Sequence, residues 1–171
     1  SHYVRPGSAL DLEAWERGTS VYFADQVVPM LPRELSNGIC SLNPRVDRLA
    51  LSCVMTLTPE GEVVDHTIAK SVIRTTERMT YEDCNALLAH SDPALAERYA
   101  RILPMLEDMA ALSRVLEGRR RRRGALELDT RESYVVCDES GTPVDVVLRT
   151  PGISEGLIES FMLAANECVA E

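Results

Sequence analysis

The sequence predicts an α+β domain, and three observations carry that reading. Two pairs of apolar runs with alternating character each flank a short turn containing Gly or Pro, the pattern of a β-hairpin. Elsewhere, apolar residues recur at three- and four-residue spacing, the pattern of a helix with one buried face. Ser8 and Thr80 stand just before two such stretches, where a hydroxyl can cap a helix N-terminus. The resulting order is helix, loop, hairpin, two helices, hairpin, helix. Strands that pair with their chain neighbours, with helices between the pairs, make this α+β.

Taken in order, Ser1 to Val4 reads as the tail of a strand and Arg5-Pro6-Gly7 as a turn. Ser8 caps a helix through "ALDLEAWERG"; Asp11 and Glu13 suit the positive end of its dipole, and Gly18 stops it. The next stretch, Val21 to Pro44, reads "VYFADQVVPMLPRELSNGICSLNP". Pro29 and Pro32 forbid one long helix, and Asn37-Gly38 and Asn43-Pro44 are turn signals. Yet the segment is rich in apolar and aromatic residues. It is either a buried connector or the lining of a place where something else must fit.

"DRLALSCVMTL" (Asp47 to Leu57) and "VVDHTIAKSVIRT" (Val63 to Thr75) make the first hairpin about "TPEGE". Thr80 caps "YEDCNALLAH". A second helix starts near Pro93 and places Leu95, Tyr99, Ile102, Leu103, Leu106, Met109, Ala110, Ser113 and Leu116 on one face, with Pro104 kinking it. "ALELD" reads as a short strand, and "SYVVCD-ESGTP-VDVVLRT" as the second hairpin. "PGISEGLIESFMLAANECVA" closes the chain as a helix that turns Leu157, Phe161, Leu163, Ala164 and Val169 inward.

The bulk properties exclude several classes. With 171 residues, 45% apolar and 26% charged, the chain suits one globular domain and not a disordered one. No run approaches the roughly 20 apolar residues of a membrane span, and "SHYVRPGSAL" lacks the layout of a signal peptide, so the cytoplasm is the expected compartment. The five cysteines are widely spaced with no C-x-x-C, and the three histidines are isolated. That pattern opposes a disulfide framework and a zinc site alike. Cys53 and Cys137 read as small buried apolar residues. The net charge of −9 opposes capture of nucleic acid by the surface at large, although five of the 18 basic residues sit in Arg119 to Arg123.

"SHYVRPGSALDLEAWERGTSVYF", "VVPMLPRELSNGICSLNPRVDRLALSC", "RRRGALELD" and "LIESFMLAANECVA" closely resemble the RNB catalytic domain of the ribonuclease II and ribonuclease R family, nearest the ribonuclease R branch. The resemblance runs in order along the chain, weakest between about Thr80 and Leu116. It implies the middle portion of a processive, magnesium-dependent 3′-to-5′ exoribonuclease that hydrolyses single-stranded RNA to nucleoside monophosphates. On that reading residues 1–171 are a single partial domain, truncated at both ends. The family's metal-holding aspartates lie upstream of the position of Ser1. The acids here are scattered singly, so the expectation is no metal site within this chain and no activity from it alone.

The resemblance also assigns residues. Tyr22 matches the family's tyrosine that stacks on a base near the RNA 3′ end; without the likeness it reads as a core aromatic, as Phe23 does. Leu128 stands where the family carries a second aromatic for the terminal bases. Asn37, in "LSNGICSLNP", either presents polar groups along the RNA channel or simply belongs to a tight turn. Glu159 matches an acidic position facing the metal centre and is the candidate for catalytic support; otherwise it is a solvated helix residue. Arg123 is the candidate for touching RNA, with the rest of its run at a helix end that suits the dipole. The alternative function is a non-catalytic single-stranded RNA-binding or protein-interaction module.

Overall fold

In the computed structural model the hairpins and capped helices stand where their patterns place them. It describes residues 2–24, 26–126 and 132–170. The order is α1 (Ala9–Arg17), β1 (Val21–Tyr22), β2 (Val27–Val28), a π-helical turn (Glu34–Ile39), β3 (Asp47–Leu57), β4 (Val63–Arg74), α2 (Tyr81–Leu88), α3 (Pro93–Arg98), α4 (Leu103–Arg122), β5 (Glu132–Cys137), β6 (Pro143–Arg149) and α5 (Ile153–Ala170). The strands pair two by two, β1 with β2, β3 with β4 and β5 with β6. The α+β reading therefore holds. The chain divides into two compact units.

The first unit comprises residues 1–48, 74–76 and 131–149. Ser8 caps α1 by accepting from the Asp11 backbone N–H at 3.2 Å, and Asp11 Oδ2 accepts in return from the Gly7 N–H at 2.8 Å. Gly18, at φ 67°, ends the helix with its N–H on the Ala14 carbonyl, a left-handed stop that a side chain resists. The β5–β6 hairpin pairs Tyr134 with Val147 and Val135 with Val146, with a bulge between Val136 and Cys137. Its turn is tied by Asp138, whose Oδ1 accepts from the Ser140 and Thr142 N–H groups.

The second unit comprises residues 49–73, 77–130 and 150–171. Its core is Leu87, Tyr99 and Leu106, with Cys84, Leu95 and Met109 packed around them. Thr80 caps α2 through the Asp83 N–H at 3.1 Å. α4 lies along α5, and Ser113 Oγ donates to Ser160 Oγ at 3.3 Å inside that contact. Small side chains at the crossing let two backbones approach, and their hydroxyls satisfy each other.

Several details differ from the sequence reading. Residues 2–4 form no strand, and neither do Ala125 and Leu126; the remainder of "ALELD" lies outside the described residues. Pro104 does not kink one helix but opens a new one, since it occupies the first turn of α4, where its missing N–H has no partner to lose. On α5, Leu157 is buried as expected, but Leu163 and Val169 are exposed and Ser154, Ser160 and Cys168 take the inner positions. Cys53 and Cys137 are half-buried, not core, and the five cysteines, all among the described residues, form no disulfide.

The start of α5 is fixed by one polar cluster. Asn85 Oδ1 accepts from the Ser154 N–H and from Ser154 Oγ, both at 2.9 Å, and Asn85 Nδ2 donates to Glu155 Oε2 at 3.0 Å. Glu155 Oε2 also accepts from the Gly152 N–H at 2.9 Å. A Cβ on Gly152 would overlap the Asn85 carboxamide. Gly152→Ala is therefore expected to lower stability by about 1–3 kcal/mol, as overpacking does, read from urea unfolding of both proteins. An unchanged midpoint would contradict this packing account.

Candidate nucleic-acid interface

The apolar segment after α1 is an exposed wall held by backbone and arginine contacts. Serine and arginine side chains anchor its start: the Met30 N–H donates to Ser20 Oγ at 3.0 Å, and Arg17 Nη1 donates to the Pro29 carbonyl at 3.4 Å. β1 and β2 then pair Val21 with Val28 and Tyr22 with Val27, and the Phe23 N–H reaches the Gln26 carbonyl at 2.8 Å. This short ribbon presents the Tyr22 side chain to solvent, with the residue 77% exposed. Phe23, expected in the core, is exposed as well, because two residues of strand on an open ribbon offer no second layer to cover it.

The chain next enters the π-helical turn, an uncommon geometry that leaves carbonyls poorly satisfied at its end. Arg48 answers that need from the start of β3. Its Nε donates to the Ser41 carbonyl at 2.8 Å and its Nη2 to the Gly38 carbonyl at 3.3 Å. Asn37 lies exposed in this turn; its Oδ1 accepts from Ser36 Oγ at 2.8 Å, and its carbonyl accepts from Asn43 Nδ2 at 3.3 Å. The Asn37 amide nitrogen takes no part in either of these two bonds.

In the second unit the arginine run ends α4 beside α5. Arg120 Nη1 donates to Glu159 Oε1 at 3.2 Å. Arg123 grips Glu167 in a fork, with Nη2 to Oε1 at 2.6 Å and Nη1 to Oε2 at 3.3 Å. Arg119 Nη1 turns the other way, to the Gly61 carbonyl at 3.1 Å in the β3–β4 turn. Arg120, Arg123, Glu159 and Glu167 border a cleft of about 450 Å³ that Leu126 and Leu163 also line. Hydrogen bonding from Arg123 holds the Glu167 carboxyl below its ordinary value, against partial burial, and the charges of Arg123, Arg119 and Arg120 add to it. Glu167 in turn raises Arg123.

The structure thus brings Arg123 and Glu159 to one cleft. Tyr22 and Asn37 belong to the exposed wall of the other unit, and Leu128 lies outside the described residues. Sequence reasoning missed Arg48, Arg120 and Glu167. The spacing of Glu159, Leu163 and Glu167 places all three on one face of α5, a signal that could have flagged Glu167. Among the described residues no group of three or more His, Cys, Asp or Glu side chains converges to hold a metal ion. A two-metal hydrolytic site needs such convergence, so these residues do not by themselves fit the magnesium that the resemblance implies.

Helices joined to antiparallel strand pairs define the class as α+β, and comparison with known proteins gives the family. Residues 1–171 match the family model of the RNB domain, and the chain belongs to that family. It is 55% identical over 170 residues to ribonuclease R 1 of Lactococcus lactis subsp. lactis (strain IL1403), covering 99% of this chain and 21% of that protein. Among solved structures it matches Mycoplasma genitalium RNase R in complex with ribose-methylated single-stranded RNA, at 30% identity and a TM-score of 0.88, over 99% of this chain and 26% of that one. It also matches the complex of that enzyme with double-stranded RNA, at 30% identity and a TM-score of 0.89, over 99% and 30% of the two chains. The chain thus spans about a fifth of the curated relative's length.

The carboxylate shifts set a pH dependence. Glu167 is depressed by Arg123. For Glu155, partial burial works upward, but the bonds from Asn85, its own backbone, Gly152 and Ser154 outweigh it and hold the group below the ordinary 4.5. A depressed folded pKa adds stability that is complete above the unfolded value and is lost as pH falls through the folded one. Thermal stability is therefore expected to be flat from neutral pH down to about 5 and to decline below about 4.5. Asn85→Ala should shrink the Glu155 part of that decline. A stability curve independent of pH down to about 3 would contradict the assignment.

Proposed function

We propose that this chain is the RNA-wall portion of the catalytic domain of a cytoplasmic, magnesium-dependent, processive 3′-to-5′ exoribonuclease that degrades single-stranded RNA to nucleoside monophosphates. In this reading Tyr22 stacks on a base near the 3′ end, Asn37 offers its amide along the strand, and Arg123 meets a phosphate. Leu128 packs on the terminal base, and Glu159 supports the reacting phosphate. The observation that carries the reading is the exposure of Tyr22 on a braced ribbon. A base presents a π-face whatever its sequence, and a ring carried on a ribbon whose return strand is tied down by Arg17 at Pro29 and Ser20 at Met30 meets it with less backbone left to order. Family membership and the RNA complexes of a structural neighbour support the choice of ligand.

Hydrolysis by this route uses divalent cations to polarise the phosphate and generate the attacking hydroxide. The described residues assemble no site for those ions, and the ligands come, on this reading, from another part of the longer protein. What this chain contributes is position: an aromatic seat, a polar wall and a guanidinium cleft.

Fluorescence anisotropy with an oligo(A) strand tests the stacking role. Tyr22→Ala is expected to bind about tenfold more weakly, in keeping with the loss of one base–aromatic stack. Equal affinities would remove Tyr22 from the interface. A magnesium-dependent exonuclease assay on this chain alone should release no mononucleotide, and release at the rate of a longer relative would show that the catalytic carboxylates lie here after all.

A further inference from the structure

We propose that the cleft at the end of α4 is a phosphate-binding site built on Arg120 and Arg123, and that Glu167 acts as its latch by occupying the seat a phosphate would take. The inference rests on the RNA reading only for one possible source of that phosphate.

The geometry of the Arg123 pair supplies the first argument. A guanidinium presents parallel N–H donors that fit the two oxygens of a carboxylate or of a phosphate equally well. Glu167 fills that fork at 2.6 and 3.3 Å. The carboxylate is therefore a stand-in for the group it keeps out. The second argument is an unmet donor: Arg120 Nε is buried and has no hydrogen-bond partner among the described residues, although Nη1 reaches Glu159. A buried guanidinium N–H without an acceptor is costly, and a shift of the Arg120 side chain toward an anion in the cleft would relieve that cost.

Charge and size agree. Arg119 to Arg123 set five positive charges against Glu117, Glu159 and Glu167 in a chain of net charge −9. The α4 carbonyls that would repel an anion are already engaged, with the Gly124 N–H on Arg121 and the Ala125 N–H on Arg120. A cleft of about 450 Å³ has room for a nucleotide, and Leu126, 86% exposed at its edge, offers apolar contact to a sugar or base.

Two probes distinguish the sources, an oligo(A) strand and AMP, each titrated against the wild type, Glu167→Gln and Glu167→Gln/Arg120→Ala. Removing the latch is expected to tighten binding about three- to tenfold at low salt and to steepen the salt dependence of strand binding by about one released counterion. The double variant should lose the gain. A gain with oligo(A) alone assigns the site to a strand phosphate and a gain with AMP alone to a free nucleotide; both support the site. No gain with either probe, or a gain that survives Arg120→Ala, overturns the proposal and leaves the ion pairs as clasps between helices. Should Glu167→Gln fail to unfold cooperatively, Arg120→Ala alone carries the test. It keeps the Arg123–Glu167 pair, and it must weaken binding at least about threefold for the site to stand. Tyr22→Ala in parallel separates the two readings, since loss of stacking leaves the latch effect intact.

Discussion

The Asn85 carboxamide decides where α5 begins, and α5 carries two of the carboxylates that face the arginine run. One side chain uses both ends of its amide: the oxygen receives the Ser154 N–H and hydroxyl, and the nitrogen supports Glu155. Ser154 is 4% exposed, so each of these groups would cost free energy if left unpaired in the interior. Because every member has a partner, the cluster specifies one register for α5. A one-residue slip would carry Glu159 and Glu167 about 100° around the helix and away from Arg120 and Arg123.

That register is kept along the helix by a second constraint. Ser113 and Ser160 meet between α4 and α5, with Ala110, Leu116 and Leu157 buried on the same two helices. Apolar burial favours the contact without fixing its register, whereas the serine pair is directional. The Arg119 contact to Gly61 extends the same fixation to the β3–β4 turn, where Gly61 at φ 81° packs against Val115. The arginines thus project from a helix end that is held on two sides.

The parts legible in the sequence were those set by local chemistry. Alternation gave both hairpins, and Ser8, Thr80 and Gly18 marked helix ends through bonds made within a few residues. The break before α4 was not legible, because Tyr99, Ile102, Leu103 and Leu106 keep their three- and four-residue spacing straight through the turn. Periodicity records which side faces the core, and a tight turn can preserve that side while ending the helix. On α5 the pattern misled for a related reason: serines that find hydroxyl and amide partners can take buried positions a hydropathy pattern gives to leucine or valine. The Arg48 and Glu167 contacts depend on residues brought together by folding, over separations of up to 44 positions, and no local pattern encodes them.

Net charge was the weakest guide to a partner, and the reason is distance. At physiological ionic strength the field of an exposed charge fades over about 8 Å. A phosphate entering the α4 cleft therefore senses Arg119 to Arg123 and the glutamates beside them far more than the sum over the chain. A total of −9 says that the surface at large repels a polyanion. It leaves open a local seat where guanidinium groups outnumber carboxylates, and surrounding repulsion would confine a bound phosphate to that seat. An acidic chain with an arginine-lined cleft would on this argument be more selective for where a phosphate binds than a uniformly basic one.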